Sequence, residues 1–182
     1  MMLIASMFTP LVFAQAEAVL GDRVVVSINN IPYTQLQVEG YVNVKETLRK
    51  DIENSLPVSQ DNWQIALAAF ILDMVVYQEA NKSSGFRPQS EGVQKSLEIV
   101  KSSLAKSPTF SNRFQKLGID DQLIKEHLSR ILTLENLRRS RKSFSREKDS
   151  NNNWEEDLQK NSLVRWYDNG KIYKNLTSMP LK

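Results

Sequence analysis

The stretch WQIALAAFILDMVVYQEANKSSG, beginning at Trp63, constrains the fold more than any other part of the chain. Ala66, Phe70, Met74 and Tyr77 recur at helical spacing, and Leu67, Ile71 and Val75 lie beside them, so the apolar stripe is wide. A helix of that kind cannot rest against one neighbour; it belongs at the centre, with other elements packed around it. The chain supplies those elements. Leu36, Tyr41, Val44, Leu48 and Ile52 predict a preceding amphipathic helix, and Val93, Leu97, Val100 and Leu104 a following one. Phe110, Phe114 and Leu117 mark a short helix. Ile124, Leu128, Ile131, Leu132, Leu134 and Leu137 mark a long one among charges.

Local chemistry punctuates these segments. RVVVSINNIPYT reads as strand, tight turn and strand, because Asn29 and Asn30 tolerate the left-handed conformation that a two-residue hairpin needs. Thr34 is placed to cap the first helix, and Pro57, Ser59, Asp61 and Asn62 separate it from the second. Gly85 reads as a C-cap of the central helix, Pro108 breaks the next, Gly118 closes the short helix and Asp120 caps the long one. Beyond Arg141 the segment from Lys142 to Asn153 loses apolar periodicity and reads as a solvated linker. WEEDLQKN then suits a short helix, and LVRWYDNGKIYKN a hairpin turning at Asp168, Asn169 and Gly170. The class expected is mainly α with a small antiparallel sheet.

Residues 1–16, MMLIASMFTPLVFAQA, carry no charge and end in the small-residue pattern Ala14, Gln15, Ala16, as a secretory signal peptide does at its cleavage site. The run is shorter than the roughly 20 apolar residues of a spanning helix and contains Pro10, so the expectation is export with no stable membrane insertion after cleavage. A positive n-region is missing, which leaves open a start upstream of Met1 or a hydrophobic segment of another kind, such as a buried amino-terminal helix.

The chain contains no cysteine, which excludes disulfides, a thiolate nucleophile and thiolate metal ligands. His127 is the one histidine; without a second it completes no familiar metal cluster, and a structural or merely exposed role is expected. No G-x-S-x-G elbow and no phosphate-binding G-x-x-x-x-G-K-[ST] loop occurs. With 24 basic against 21 acidic residues, the net charge of +3 is too small to mark a nucleic-acid binder. The basic run Arg138, Arg139, Arg141, Lys142, Arg146 and Lys148 reads as a solvated helix end rather than a polyanion site. No enzyme and no cofactor is implied.

The order of elements, with the strings RVVVSINNIPYT, LDMVVYQEANKSSGF, VQKSLEIV and FSNRFQKLGIDDQLIKEHLSRILTLENL, resembles the N-terminal chaperone domain of SurA and related periplasmic peptidyl-prolyl isomerases. The resemblance covers residues 22–141. Family members usually insert parvulin domains after the long helix, then return for a terminal helix and strand; nothing after Arg141 is long enough to hold a parvulin domain. WEEDLQKNSLVRWYD resembles the returning part, so residues 154–182 are expected to pack back on the same domain, with Val164 to Tyr167 pairing with Val24 to Ile28. The resemblance implies a periplasmic holdase without isomerase activity, binding unfolded segments, outer-membrane proteins above all. Phe70, Tyr77, Phe86, Phe110 and Phe114 are the candidate client contacts, although their spacing makes most of them core. The alternative is a non-catalytic adaptor docking one folded envelope partner.

Overall fold

The computed structural model describes residues 22–49, 52, 55–145, 154–168 and 171–174, and so leaves residues 1–16 outside the described part. Two strands, β1 (Val24–Ile28) and β2 (Ile31–Thr34), open the fold, followed by α1 (Gln35–Thr47), α2 (Trp63–Ala80), α3 (Ser90–Lys106), α4 (Pro108–Leu117) and α5 (Asp121–Ser145). The chain then forms α6 (Trp154–Lys160), β3 (Val164–Asp168) and β4 (Lys171–Lys174). The fold is mainly α with one small antiparallel sheet, as the periodicity predicts. α1, α2 and α3 all pack on α5, and α2 also meets α1, α6 and β1. Phe70, Ile71, Met74 and Val76 on α2 are completely buried, which is the central position its wide stripe demands.

The turn between β1 and β2 works through two asparagines with φ of 49° and 67°, the left-handed pair of a tight hairpin. Asn29 does more than turn. Its Oδ1 accepts from the Leu163 N–H at 2.9 Å, its own N–H donates to the Leu163 carbonyl at 2.8 Å, and its Nδ2 donates to Gln78 Oε1 at 2.8 Å. One side chain thereby ties the hairpin to the returning segment and to the central helix. The return is in the expected place: β3 pairs antiparallel with β1, Val26 opposite Trp166 and Ile28 opposite Val164, and all four are buried. The sheet order is β2-β1-β3-β4. A bulge between Val24 and Val26 breaks strict alternation, and Val25 and Val26 are both buried.

Helix ends follow the expected caps with three differences. Thr34 Oγ1 accepts from the Gln37 N–H while Gln37 Oε1 accepts from the Thr34 N–H, a complete capping box. Asp120 Oδ1 accepts from the Leu123 N–H at 2.8 Å, and Gly118 closes α4 at φ 63°. α1, however, stops at Thr47, short of Ile52, its last turn tightened by the Leu48 N–H bonding the Lys45 carbonyl. α2 ends at Asn81 and not at Gly85: the Ser83 hydroxyl accepts from the Gly85 N–H and starts a separate 3-10 turn, Ser84–Phe86. The linker also begins later than Lys142, since α5 runs on to Ser145. Arginine and lysine are good helix formers, and cations suit the carbonyl end of a helix, so the basic run extends the helix it was expected to fray.

Two stability outcomes follow from this clasp. Asn30→Gly keeps the turn and is expected to be neutral or mildly stabilising, whereas Asn29→Gly also keeps the turn and the backbone bond to the Leu163 carbonyl but strips the side-chain bonds to the Leu163 N–H and to Gln78, and should cost about 1–2 kcal/mol. Urea melts of both variants separate the two roles; equal effects would remove the clasp from Asn29. Deleting residues 154–182 uncovers Val26 and Ile28 and discards the burial of Val164 and Trp166, each worth about 1.5–3 kcal/mol. A melting temperature lower by something of order 10 °C is expected, and an unchanged one would show that β3 is dispensable.

Candidate functional site

The five candidate aromatics divide sharply by position. Phe70 is fully buried, edge-on to Tyr33 at 5.2 Å and to Tyr41 at 5.4 Å. Phe110 and Phe114, one turn apart on α4, are both core residues. These three cannot touch a client unless the core opens, because i and i+4 aromatics on a short amphipathic helix are what attach it to its neighbours. Phe86 is half-buried against the core, and its carbonyl accepts from Asn136 Nδ2 at 3.1 Å, fastening the 3-10 turn to α5. Tyr77 lines a cleft.

That cleft, of about 310 Å³, lies between β2, α2 and α5. Ile31, Pro32 and Tyr33 form one wall, Tyr77, Gln78 and Asn81 another; Gln37 and Arg130 complete it. Gln78 is already committed: its Nε2 donates to the Ile28 carbonyl and to the Tyr33 hydroxyl, at 3.1 and 3.2 Å. Burial pushes the Tyr33 phenol up from its ordinary range, so it keeps its proton at neutral pH. Arg130 is half-buried, and no ion pair or hydrogen bond holds its guanidinium among the described residues. A second cleft, of about 350 Å³ between the start of α3 and α5, carries both signs of charge in Glu91, Lys95, Glu135 and Arg139, with Lys95 paired to Glu91 at 2.8 Å.

β2 is an edge strand, yet its outer side offers no amide to an incoming strand. The two-residue turn makes Ile28 and Ile31 the closing pair, which turns the Ile31 and Tyr33 amides toward β1 and leaves Pro32 and Thr34 facing outward. Proline has no N–H, and the Thr34 N–H is held by Gln37 at 3.0 Å.

The groups that sequence reasoning missed are buried polar ones. Asp73, on the apolar face of α2, accepts from the Tyr41 hydroxyl at 3.0 Å, from Lys45, and from Arg138 Nη1 at 3.2 Å. Arg138 also grips Glu155 on α6 with Nε and Nη2, at 3.1 and 3.0 Å. Burial opposes the charge of Arg138, but Glu155 and Asp73 more than offset this, raising its pKa. Burial first, then Asp73, pushes the Tyr41 phenol well up. Arg141 stacks its guanidinium over the Trp154 ring at 5.5 Å. Two members of the expected solvated basic run thus anchor α6. On α1, Glu39 pairs with Arg113 of α4 in a similar half-buried bridge. A lone acid inside an apolar helix was the available signal for Asp73.

His127 is fully buried, with neither ring nitrogen hydrogen-bonded among the described residues, and packs edge-on to Tyr41 at 6.1 Å. α1 meets it through Gly40, where an added Cβ would stand 2.6 Å from Nε2. Burial, then the Arg130 charge, lowers the His127 pKa from 6.5 to about 3. Among the described residues no three His, Cys, Asp or Glu side chains stand close enough to hold a metal ion, and no helix is long and apolar enough to cross a membrane.

The His127 environment sets a pH dependence. Between the unfolded value of 6.5 and the folded value of about 3, the unfolded chain binds a proton that the folded one refuses. The contribution is fully present above pH 6.5 and is lost as pH falls toward 3, at up to about 1.4 kcal/mol per unit. Urea melts at pH 7 and 4.5 should show a smaller acid loss for His127→Leu than for the wild type; equal losses would clear the histidine. Gly40→Ala should cost about 1–3 kcal/mol despite its better helix propensity, and much less in a His127→Ala background. Additive effects would mean that the two do not meet.

No family model, curated protein or solved structure matches this chain.

Proposed function

We propose that this protein is an exported, non-catalytic polypeptide-binding domain, a holdase that shields unfolded segments of envelope proteins in the periplasm. The observation that carries the reading is the return of the chain: after the long helix α5, α6 docks and β3 completes the sheet beside β1. That closure is what the resemblance to the SurA chaperone module implies for such a domain when no isomerase stands between its two parts. Two further features support it. The cleft beside Tyr77 is apolar-walled and shallow in its polar demands, which suits weak binding of varied segments. The closed β2 edge keeps such a binder from templating strand aggregation of the chains it holds.

Light scattering of a urea-unfolded outer-membrane porin, diluted with and without the protein at several molar ratios, tests the proposal. Dose-dependent suppression near stoichiometric ratios is expected. No suppression at large excess would sink the holdase reading in favour of an adaptor with one folded partner. The burial of Phe70, Phe110 and Phe114 is the observation on that second side, since it withdraws three of the five candidate aromatics from any client surface and leaves Tyr77 at a small cleft.

A further inference from the structure

We infer that the cleft between β2, α2 and α5 recognises the free carboxy-terminal residue of a polypeptide, its apolar side chain against Tyr77, Ile31 and Pro32 and its carboxylate on Arg130. The inference deepens the polypeptide-binding reading and rests on it for the choice of a peptide end over other carboxylates.

Charge complementarity is the first argument. The lining of the cleft holds one cation, Arg130, and no acidic residue. Arginine in a half-buried position is normally forked onto a carboxylate, as Arg138 is onto Glu155; Arg130 has no such partner among the described residues. A planar two-oxygen anion fits that fork. Further donors converge on the same space: the Tyr33 hydroxyl accepts from Gln78 and keeps its own proton, and the exposed Asn81 stands on the rim.

Size and access argue for a chain end. A volume of about 310 Å³ is at the lower limit of ligand pockets, roughly 300–1,000 Å³, and takes one side chain with its carboxylate more readily than a long acyl chain. Ile31 remains 48% exposed in the free protein, an apolar surface waiting for cover at the mouth. A ligand running along β2 as an added strand would find no amide donor at Pro32 or Thr34. Entry is therefore end-on, with recognition through side chains and a terminal carboxylate.

Calorimetric titration of the protein with N-acetyl-Leu-Phe as the free acid and as its C-terminal amide tests this directly. The acid should bind at least about tenfold more tightly than the amide. Arg130→Gln should abolish that preference with an unchanged melting temperature, because the Arg130 guanidinium makes no bond among the described residues, and Tyr77→Ala should weaken both ligands together. Equal binding of acid and amide, or a preference that survives Arg130→Gln, would overturn the inference. So would Arg130-dependent binding of inorganic phosphate or decanoate with none of the peptide acid. The two readings fail separately. Porin protection without acid preference overturns only the carboxylate site, and Arg130-dependent acid binding without porin protection overturns only the holdase.

Discussion

A carboxylate on the most apolar helix of a chain has to find donors, and Asp73 draws them from two other helices at once. Tyr41 and Lys45 reach it from α1 and Arg138 from α5, while the other edge of the Arg138 guanidinium holds Glu155 on α6. The cluster fixes how the helices face one another around α2, because apolar stripes alone would tolerate sliding and rotation. Its energetics are asymmetric. A buried ion pair adds little over well-packed apolar residues, but removing one partner strands the other and costs about 3–5 kcal/mol. The cluster therefore acts as a register device. It also gives α6 a reason to dock, since a seven-residue helix has no independent stability.

The returning segment depends on that register and on Asn29. With α6 held by Arg138 and by the stacking of Arg141 on Trp154, Leu163 arrives where Asn29 can exchange hydrogen bonds with it, and β3 follows β1 in register. The Asn-Asn turn thus carries information that a Gly-Asn turn would carry only in part: the first residue needs its side chain, the second only its φ. Anchoring is thereby split between charge at α6 and backbone pairing at β3, two interactions that respond differently to salt.

Much of this was legible in the chain. The pairing of the returning strand was implied by the resemblance to the SurA module, while period and punctuation located the six α-helices, the hairpin at Asn29 and Asn30, the caps at Thr34 and Asp120 and the left-handed stop at Gly118. These are local signals, each carried within a few residues. What was not legible is long-range or geometric. Arg138 lies 65 positions from Asp73, so its partner was invisible and its neighbours made it look solvated. Periodicity says that Phe70, Phe110 and Phe114 face inward but cannot say whether a face ends in core or groove. The end of α2 at Asn81 turned on a serine competing for the Gly85 amide, a contest between two weak caps. Arg130 and Tyr77 are 53 residues apart by their numbers, on helices whose packing alone brings them to one cleft.

The same packing explains why binding on this fold would be selective without being tight. The sheet edge nearest the cleft is closed by Pro32 and by the capped amide of Thr34, so no ligand gains a ladder of backbone bonds there. The large aromatics are spent on the core. The cleft beside Tyr77 is a small apolar concavity whose one guanidinium has no partner among the described residues, and a site of that kind would distinguish ligands by end group and side-chain bulk, with little contribution from the sequence behind the end. For the holdase proposed above that economy would be an advantage: few contacts mean fast dissociation, and the charge on Arg130 would raise the rate of encounter without deepening the well for neutral segments.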